Sequence, residues 1–569
     1  MSQVIKNVYE FIHVPRVAYF SMEIALANEI PTYSGGLGVL AGDTLRAAAD
    51  MALPMVAVTL ASRAGYFRQE IDAEGRQVEH ADLWEPSRYA TRLDAAAALS
   101  LDGRQVWIGG WLYVARSRTG GGIPVLLLDT DLAINDPQDR EITHYLYGGD
   151  ETYRIKQEVV LGVGGLAMLQ ALGFKLLGYH MNEGHSAFLT LALLRRHAYP
   201  PEDLRPGESP YNLPRVREMC TFTTHTPVDA GQDKFPYELV QRIYGDLLDL
   251  GTVKMLGGED RLNMTRLALN LSEYVNGVAK RHAETSRKLF PGYAMHAVTN
   301  GVHSSTWTCL HFGALYDQHV PGWCHEPELL SRADRIPDDK IWEAHVHAKQ
   351  DLMDKVRQIT GVELDPNQPI LGFARRMTAY KRPELLFADI ARLKAIAGKW
   401  PFQLVMAGKA HPRDEGGKRL IAALHAHLRE LAGVVPMTFL PNYDMDMALA
   451  MVSGADVWLN TPLRPLEASG TSGMKAAFNG VPQLSVLDGW WLEGCIEGVT
   501  GWAIGDDNPN ANGGDAAMLY DKLERVVLPL WYEDRAGWVA VMKGAISKNA
   551  SYFNSHRMMR RYATEAYLR

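Results

Sequence analysis

The chain has little cysteine and no arrangement of it that performs chemistry. Cys220, Cys309, Cys324 and Cys495 are its four cysteines in 569 residues, and no C-x-x-C pair occurs. That argues against a disulfide framework and against a cysteine zinc site, and points to reduced structural thiols in a cytoplasmic protein. Nineteen histidines are scattered without an H-E-x-x-H, so no catalytic metal is expected. No stretch of about 18 apolar residues runs free of charge, so no membrane span is expected. The opening M-S-Q-V-I-K-N-V-Y-E-F-I-H-V-P-R lacks the apolar core of a signal peptide. Basic excess is missing too: 58 Lys and Arg stand against 66 Asp and Glu, a formal net charge of -8. Without a concentrated Lys/Arg face, nucleic acid is not expected as a partner.

What is present suits two or three domains with large cores: 47% hydrophobic and 22% charged residues over this length. In the second half, apolar β-favouring runs at Ile370–Ala374, Gln403–Ala407, Pro436–Leu440, Asp456–Asn460 and Gln483–Leu487 alternate with helical patterns such as Glu384–Ile396 and Arg419–Leu431. Such alternation predicts a parallel, doubly wound sheet. The first half repeats the logic with strands expected at Val17–Ile24, Met55–Ala61, Val125–Asp129, Leu177–Met181 and Cys220–Thr224. Helices are expected at Leu40–Met51, Ile155–Leu172 and Ser186–Arg196, and loops at Asp72–Asp82 and Tyr199–Pro214. The spacing predicts an N-terminal domain over 1–305 and a C-terminal one over 306–569, facing each other across a cleft. The last helical segment, Ala536–Leu568, is expected to pack back.

Polar residues collect where these strands end, the ligand-binding edge of an open α/β sheet. S-G-G-L-G-V-L-A-G-D (34–43) opens a helix with free backbone N–H groups suited to an anion, or is a plain turn. F-A-R-R-M-T-A-Y-K-R-P-E (373–384) sets Arg375, Arg376, Lys381 and Arg382 directly after a strand. Arginine offers a planar donor fork and lysine a point charge, a pairing that fits phosphate, although a solvated charge run is the ordinary reading. E-A-S-G-T-S-G-M-K-A-A-F-N-G (467–480) holds Lys475 over a glycine–hydroxyl loop. Such a lysine could tether pyridoxal phosphate or point into water. T-F-T-T-H-T-P (221–227) and A-V-T-N-G-V-H (297–303) end two further strands with His225 and Asn300.

In order along the chain, G-G-L-G-V-L-A, N-E-G-H, T-T-H-T, T-N-G-V, R-R-M-T-A-Y-K-R, G-K-A, F-L-P-N-Y and E-A-S-G-T-S-G-M-K…N-G…D-G resemble the α-glucan (glycogen, starch and maltodextrin) phosphorylases. The resemblance implies the GT-B architecture, two Rossmann-like domains around a deep cleft. It implies pyridoxal 5'-phosphate held as an imine by Lys475, with Gly470, Thr471, Ser472 and Arg375 around the cofactor phosphate and Tyr443 at its ring. Arg376 and Lys381 are then the clamp for inorganic phosphate, aided by a backbone N–H near Gly36. Glu467, Ser469, Tyr380, His225 and Asn300 hold the terminal glucose, Leu37 lines its pocket, and Asn182 and Glu183 lie nearby. The implied activity is reversible, retaining phosphorolysis of α-1,4-glucan to α-glucose 1-phosphate in a cytoplasmic enzyme, with a homodimer as the expected assembly. Lys475 anchors the cofactor, and phosphates replace the two carboxylates of an ordinary glycosidase.

Three departures stand out. Ser472-Gly473 replaces G-N, Met377-Thr378-Ala379 replaces a more polar triplet, and the glycine loop comes 35 residues from the start. Effector control through an N-terminal extension is therefore not expected. A nucleotide-sugar glucan synthase, a degenerate glucan-binding protein and a pyridoxal phosphate aminotransferase are the competing readings. The cofactor-type lysine loop discriminates against the synthase, the presence together of Lys475, Arg376, Lys381, His225 and Glu467 argues against decay, and an aminotransferase would leave the sugar-pocket motifs unexplained.

Overall fold

The computed structural model describes residues 7–118, 120–228, 231–245, 249–508 and 513–568. The first six residues, on which the expectation about the chain's opening partly rests, lie outside them. Runs that read as apolar on both faces become central strands, because a parallel sheet is covered on both sides. Val17–Ser21 is buried at all five positions. Around it the parallel strands run in the order Gly122–Asp129, Met55–Leu60, Val17–Ser21, Gly178–Asn182, Cys220–Thr223, Tyr274–Gly277 and His296–Ala297. Arg104–Arg116 adds antiparallel to the Gly122–Asp129 strand.

A second sheet orders Met437–Leu440, Gln403–Ala407, Ile370–Ala374, Val457–Asn460, Gln483–Val486 and Gly501–Ile504, all parallel. In both sheets the first parallel strand is central, the next two step to one side and the later ones to the other. Each sheet therefore reverses direction once, between Val17–Ser21 and Gly178–Asn182 and between Ile370–Ala374 and Val457–Asn460. Outside the carboxyl ends of such neighbours the crossovers part and leave a crevice.

Most expected strands are found within a residue or two, and Ile370–Ala374 and Gln403–Ala407 match in full. The expected loop Asp72–Asp82 is instead largely part of an antiparallel hairpin, Arg68–Ile71 with Gln77–His80. Asp72 Oδ1 accepts from the N–H groups of Glu74 and Arg76, which closes its turn. The helix expected from Glu384 begins only at Ile390, where Asp389 caps it by accepting from Arg392 N at 2.9 Å. Between the sheets the chain is helical, through Leu310–His319 and Asp338–Thr360 among others.

Met558, Met559 and Tyr562, from the Ser555–Tyr562 helix, join the core formed by Val17, Tyr19, Leu40 and Leu45. Full burial of each methionine contributes roughly 1.5–3 kcal/mol. Gly301 makes the approach possible, since a Cβ there would meet Asn554 O at 2.1 Å. Among the described residues no helix is long and apolar enough to cross a membrane.

Candidate active site

At the reversal point of the second sheet, Ile370–Ala374 runs out into Arg375 and Arg376, and Val457–Asn460 into the Thr461–Glu467 loop. Arg382 stitches these segments together, donating to Thr461 O at 2.9 Å, Pro462 O at 2.7 Å and Asp515 Oδ2 at 2.6 Å. So held, Glu467 Oε2 accepts from Arg375 Nη2 and Lys381 Nζ, each at 2.5 Å. Burial alone pushes the Glu467 carboxyl up, but the two cations outweigh it and hold the group at about 2. Asp488, of the D-G motif, accepts from Glu467 N at 2.9 Å and from Gly489 N. Burial, with the Glu467 charge adding to it, raises Asp488 to about 6. Tyr443 lies within electrostatic reach of Arg375, and the Lys381 ammonium sits 4.6 Å from the Tyr380 ring centre.

Lys475 belongs to the short Ser472–Ala477 helix and does not reach water: it is 7% exposed, with Nζ 3.8 Å from the Trp307 ring centre. Burial lowers its amine to about 8, against the pull of Asp43. Asn479 holds that arrangement by donating to Trp307 O at 2.7 Å and to Lys475 O at 3.1 Å. The Ser472-Gly473 departure acquires a steric reason. Ser472 Oγ accepts from Trp458 Nε1 at 2.9 Å. A Cβ on Gly473 would fall 1.4 Å from Gln483 Oε1 and 2.9 Å from the Trp490 ring.

At the reversal point of the first sheet, Glu23 follows Val17–Ser21. Its carboxylate accepts from Ser34 N at 2.6 Å, Gly35 N at 3.2 Å and Tyr147 Oη at 3.0 Å, pinning the glycine loop at the start of the Gly36–Asp50 helix. Gly36 is exposed and Leu37 half-buried at that N-terminus. His225 Nε2 donates to Asn182 Oδ1 at 2.7 Å, and burial lowers the ring to about 3, so it stays neutral. Glu183 accepts from His225 N at 2.6 Å and Thr226 Oγ1 at 3.1 Å. It does so with φ 73° and ψ 169°, a conformation costing a non-glycine residue of order 1–3 kcal/mol and typical of functional sites. Asn300 is fixed through its backbone by Val278 O and by Arg557, which donates to its carbonyl at 2.9 Å.

Arg376 feels charged and phenolic groups of both reversal points: burial works to lower its guanidinium, and Tyr380, Tyr66, Glu23 and Tyr147 together outweigh that and keep it protonated. The hairpin ties them as well: Gln69 Nε2 donates to Gly408 O and Gln77 Nε2 to Ala410 O, both at 2.9 Å. Direct contacts thus join Arg375, Lys381 and Glu467 in one group and His225, Asn182 and Glu183 in another. Glu467, expected at the sugar, takes both cations on Oε2. A cavity of about 240 Å³ beside the same helix, lined by Gly42, Arg46, Tyr113 and Arg116, contains none of these residues.

Residues the sequence reading passed over include Glu23, Tyr147, Asp43, Trp307 and Asn479. Glu23 carried a usable signal, a carboxylate at a strand's carboxyl end; Trp307 and Asp43 carried none, since only tertiary contact brings them to Lys475.

Among the residues expected at the site, three buried polar atoms have no partner within the described protein: Arg375 Nη1, Ser469 Oγ and Asn300 Oδ1. At a strand end such a group leaves hydrogen bonding for a ligand or a water to complete. The class so defined is a doubly wound α/β protein whose cationic and polar side chains gather at the carboxyl ends of the parallel strands in two sheets. Residues 215–505 match the model of the carbohydrate phosphorylases. A maltodextrin phosphorylase of Thermococcus litoralis is 40% identical over 97% of this chain and 70% of its own length. A glycogen phosphorylase of Aquifex aeolicus is 35% identical over 98% and 87%. An uncharacterised protein of Methanocaldococcus jannaschii is 30% identical over 97% and 99%. The chain belongs to the carbohydrate phosphorylase family.

Proposed function

We propose that this protein is an α-1,4-glucan phosphorylase, releasing the non-reducing terminal glucose of glycogen or maltodextrin as α-glucose 1-phosphate. The observation that carries the reading is the convergence of Arg375 and Lys381 on Glu467, on the same sheet edge as the buried Lys475. On this reading the sheets form two Rossmann-like domains of GT-B type, 1–305 and 306–569, facing across a cleft, with the Ser555–Tyr562 helix crossing back.

The residues fit pyridoxal 5'-phosphate. Lys475, lowered to about 8, supplies a far larger neutral fraction near neutral pH than an ordinary lysine, and Arg375 Nη1 is a buried donor in need of an acceptor. Lys475 would tether the cofactor, Gly470, Thr471, Ser472 and Arg375 would hold its phosphate, and Tyr443 would meet its ring. When bound, the group supplies a phosphate able to exchange protons near neutral pH. Arg376 and Lys381 bind inorganic phosphate and offset the repulsion between two nearby anions, about 4 kcal/mol per pair of unit charges 4 Å apart in a partly desolvated site. Glu467 positions Lys381. His225, neutral and oriented by Asn182, presents its remaining ring nitrogen as an acceptor to sugar hydroxyls, while Asn300, Ser469 and Tyr380 complete the sugar pocket. Inorganic phosphate then protonates the glycosidic oxygen and adds to C1 on the same face.

Incubation with maltoheptaose, phosphate and pyridoxal phosphate should yield α-glucose 1-phosphate. Glucan elongation from ADP- or UDP-glucose without it would instead support a nucleotide-sugar synthase.

A further inference from the structure

Away from that site, three residues distant in sequence converge. Asp50 ends the Gly36–Asp50 helix, His303 precedes the Ser304–Trp307 helix, and His556 lies in the first turn of Ser555–Tyr562. His303 Nε2 and His556 Nε2 lie 2.9 and 3.0 Å from the same oxygen, Asp50 Oδ2. The three candidate ligand atoms all fall within 4.8 Å of one another. The imidazole rings stack at 5.7 Å with planes 21° apart, so their Nε2 edges address one point. The side chains of Asp50, His303 and His556 are 7%, 6% and 1% exposed.

Two imidazoles and one carboxylate are a donor set suited to zinc and its neighbours. With bonds of about 2.0–2.1 Å, neighbouring ligands of a tetrahedral ion stand about 3.3 Å apart. The two imidazole–carboxylate separations need to open by a few tenths of an ångström, and the two Nε2 atoms, within 4.8 Å of each other, need to settle on the same spacing. His303 has the outer support such ligands use, its Nδ1 meeting Thr306 Oγ1 at 2.7 Å. Metal binding requires both rings neutral, and the carboxylate then leaves a negative charge that a divalent ion offsets in a buried place.

We propose that Asp50, His303 and His556 bind a divalent transition-metal cation of the zinc type, a structural ion that pins the C-terminal helix to the first sheet. The pin has a bearing on the site above. Arg557, adjacent to His556, donates to both Thr299 O and Asn300 O at 2.9 Å, so the ion would stiffen the turn that presents Asn300.

The same distances also suit two N–H donors on one carboxylate oxygen, and the experiment separates the two. Full-length protein stripped with chelator and titrated with Co²⁺ should develop the visible absorption of a tetrahedral ion, saturating at roughly one equivalent. Zn²⁺ should bleach that absorption and raise the melting temperature of the stripped protein. His556→Gln keeps an N–H donor for Asp50 but removes the ligand nitrogen, and should abolish both the absorption and the Zn²⁺-dependent shift. A wild-type protein that shows neither cobalt absorption nor a zinc-dependent shift overturns the proposal, whether or not the variant folds. Equal cobalt absorption in wild type and a folded H556Q places the ion elsewhere and overturns it as well.

Discussion

Replacing Glu467 by Gln removes the carboxylate charge that Arg375 and Lys381 share, and the structure allows the consequence to be worked out. The carboxyl is held at about 2 instead of the usual 4.5, a shift that corresponds to about 3 kcal/mol of stability at neutral pH. Because the folded-state pKa is lowered, that stability is present above about 4.5 and is lost as pH falls toward 2. In the variant two cations with side chains 7% and 10% exposed lose their counter-charge. Breaking a buried pair from one side costs roughly 3–5 kcal/mol, a large part of the total for most folded domains. Unfolding of wild type and E467Q is compared from neutral pH down to about pH 3, with and without saturating inorganic phosphate. The variant should be less stable at neutral pH, should lose less on acidification, and should gain more from phosphate, which can take the place of the missing anion. Equal stability at neutral pH with equal phosphate shifts would refute the account of Glu467 as the positioning partner of Lys381.

Arg376→Ala should raise the phosphate KM at least roughly tenfold more than the glucan KM, the value of one charge-assisted hydrogen bond; equal losses contradict its assignment. Uptake of pyridoxal phosphate, followed by visible absorbance, should accelerate about fivefold between pH 7 and pH 8 as the neutral fraction of Lys475 grows. A flat profile would show an ordinary, solvated lysine. Gly473→Ala should displace Gln483 and cost about 1–3 kcal/mol, with weaker cofactor retention; an unchanged melting curve would remove the steric reason given for the Ser472-Gly473 pair.

The central strands were legible because a strand covered on both faces must be apolar nearly throughout, as in V-A-Y-F-S and Q-L-V-M-A. Short strands with polar members, such as Tyr274–Gly277 and the Arg68–His80 hairpin, were not, since their partners rather than their composition make them strands. Residues at strand ends, Arg375, Arg376 and His225 among them, followed from the rule that ligands gather there. Lys475 could not be told from a surface lysine by its loop, because its burial depends on Trp307, 168 positions earlier in the chain. The Asp50–His303–His556 cluster had no motif for the same reason, its members lying 253 and 506 positions apart from Asp50.

The central claim is that Lys475 tethers a cofactor whose phosphate, together with Arg376 and Lys381, serves the reaction. Borohydride reduction of the Lys475 linkage in the loaded protein tests it most directly, with α-glucose 1-phosphate release from maltoheptaose and phosphate as the assay. The account predicts that most of the activity survives once the linkage can no longer react. Complete loss of activity in protein that stays folded and loaded would contradict it.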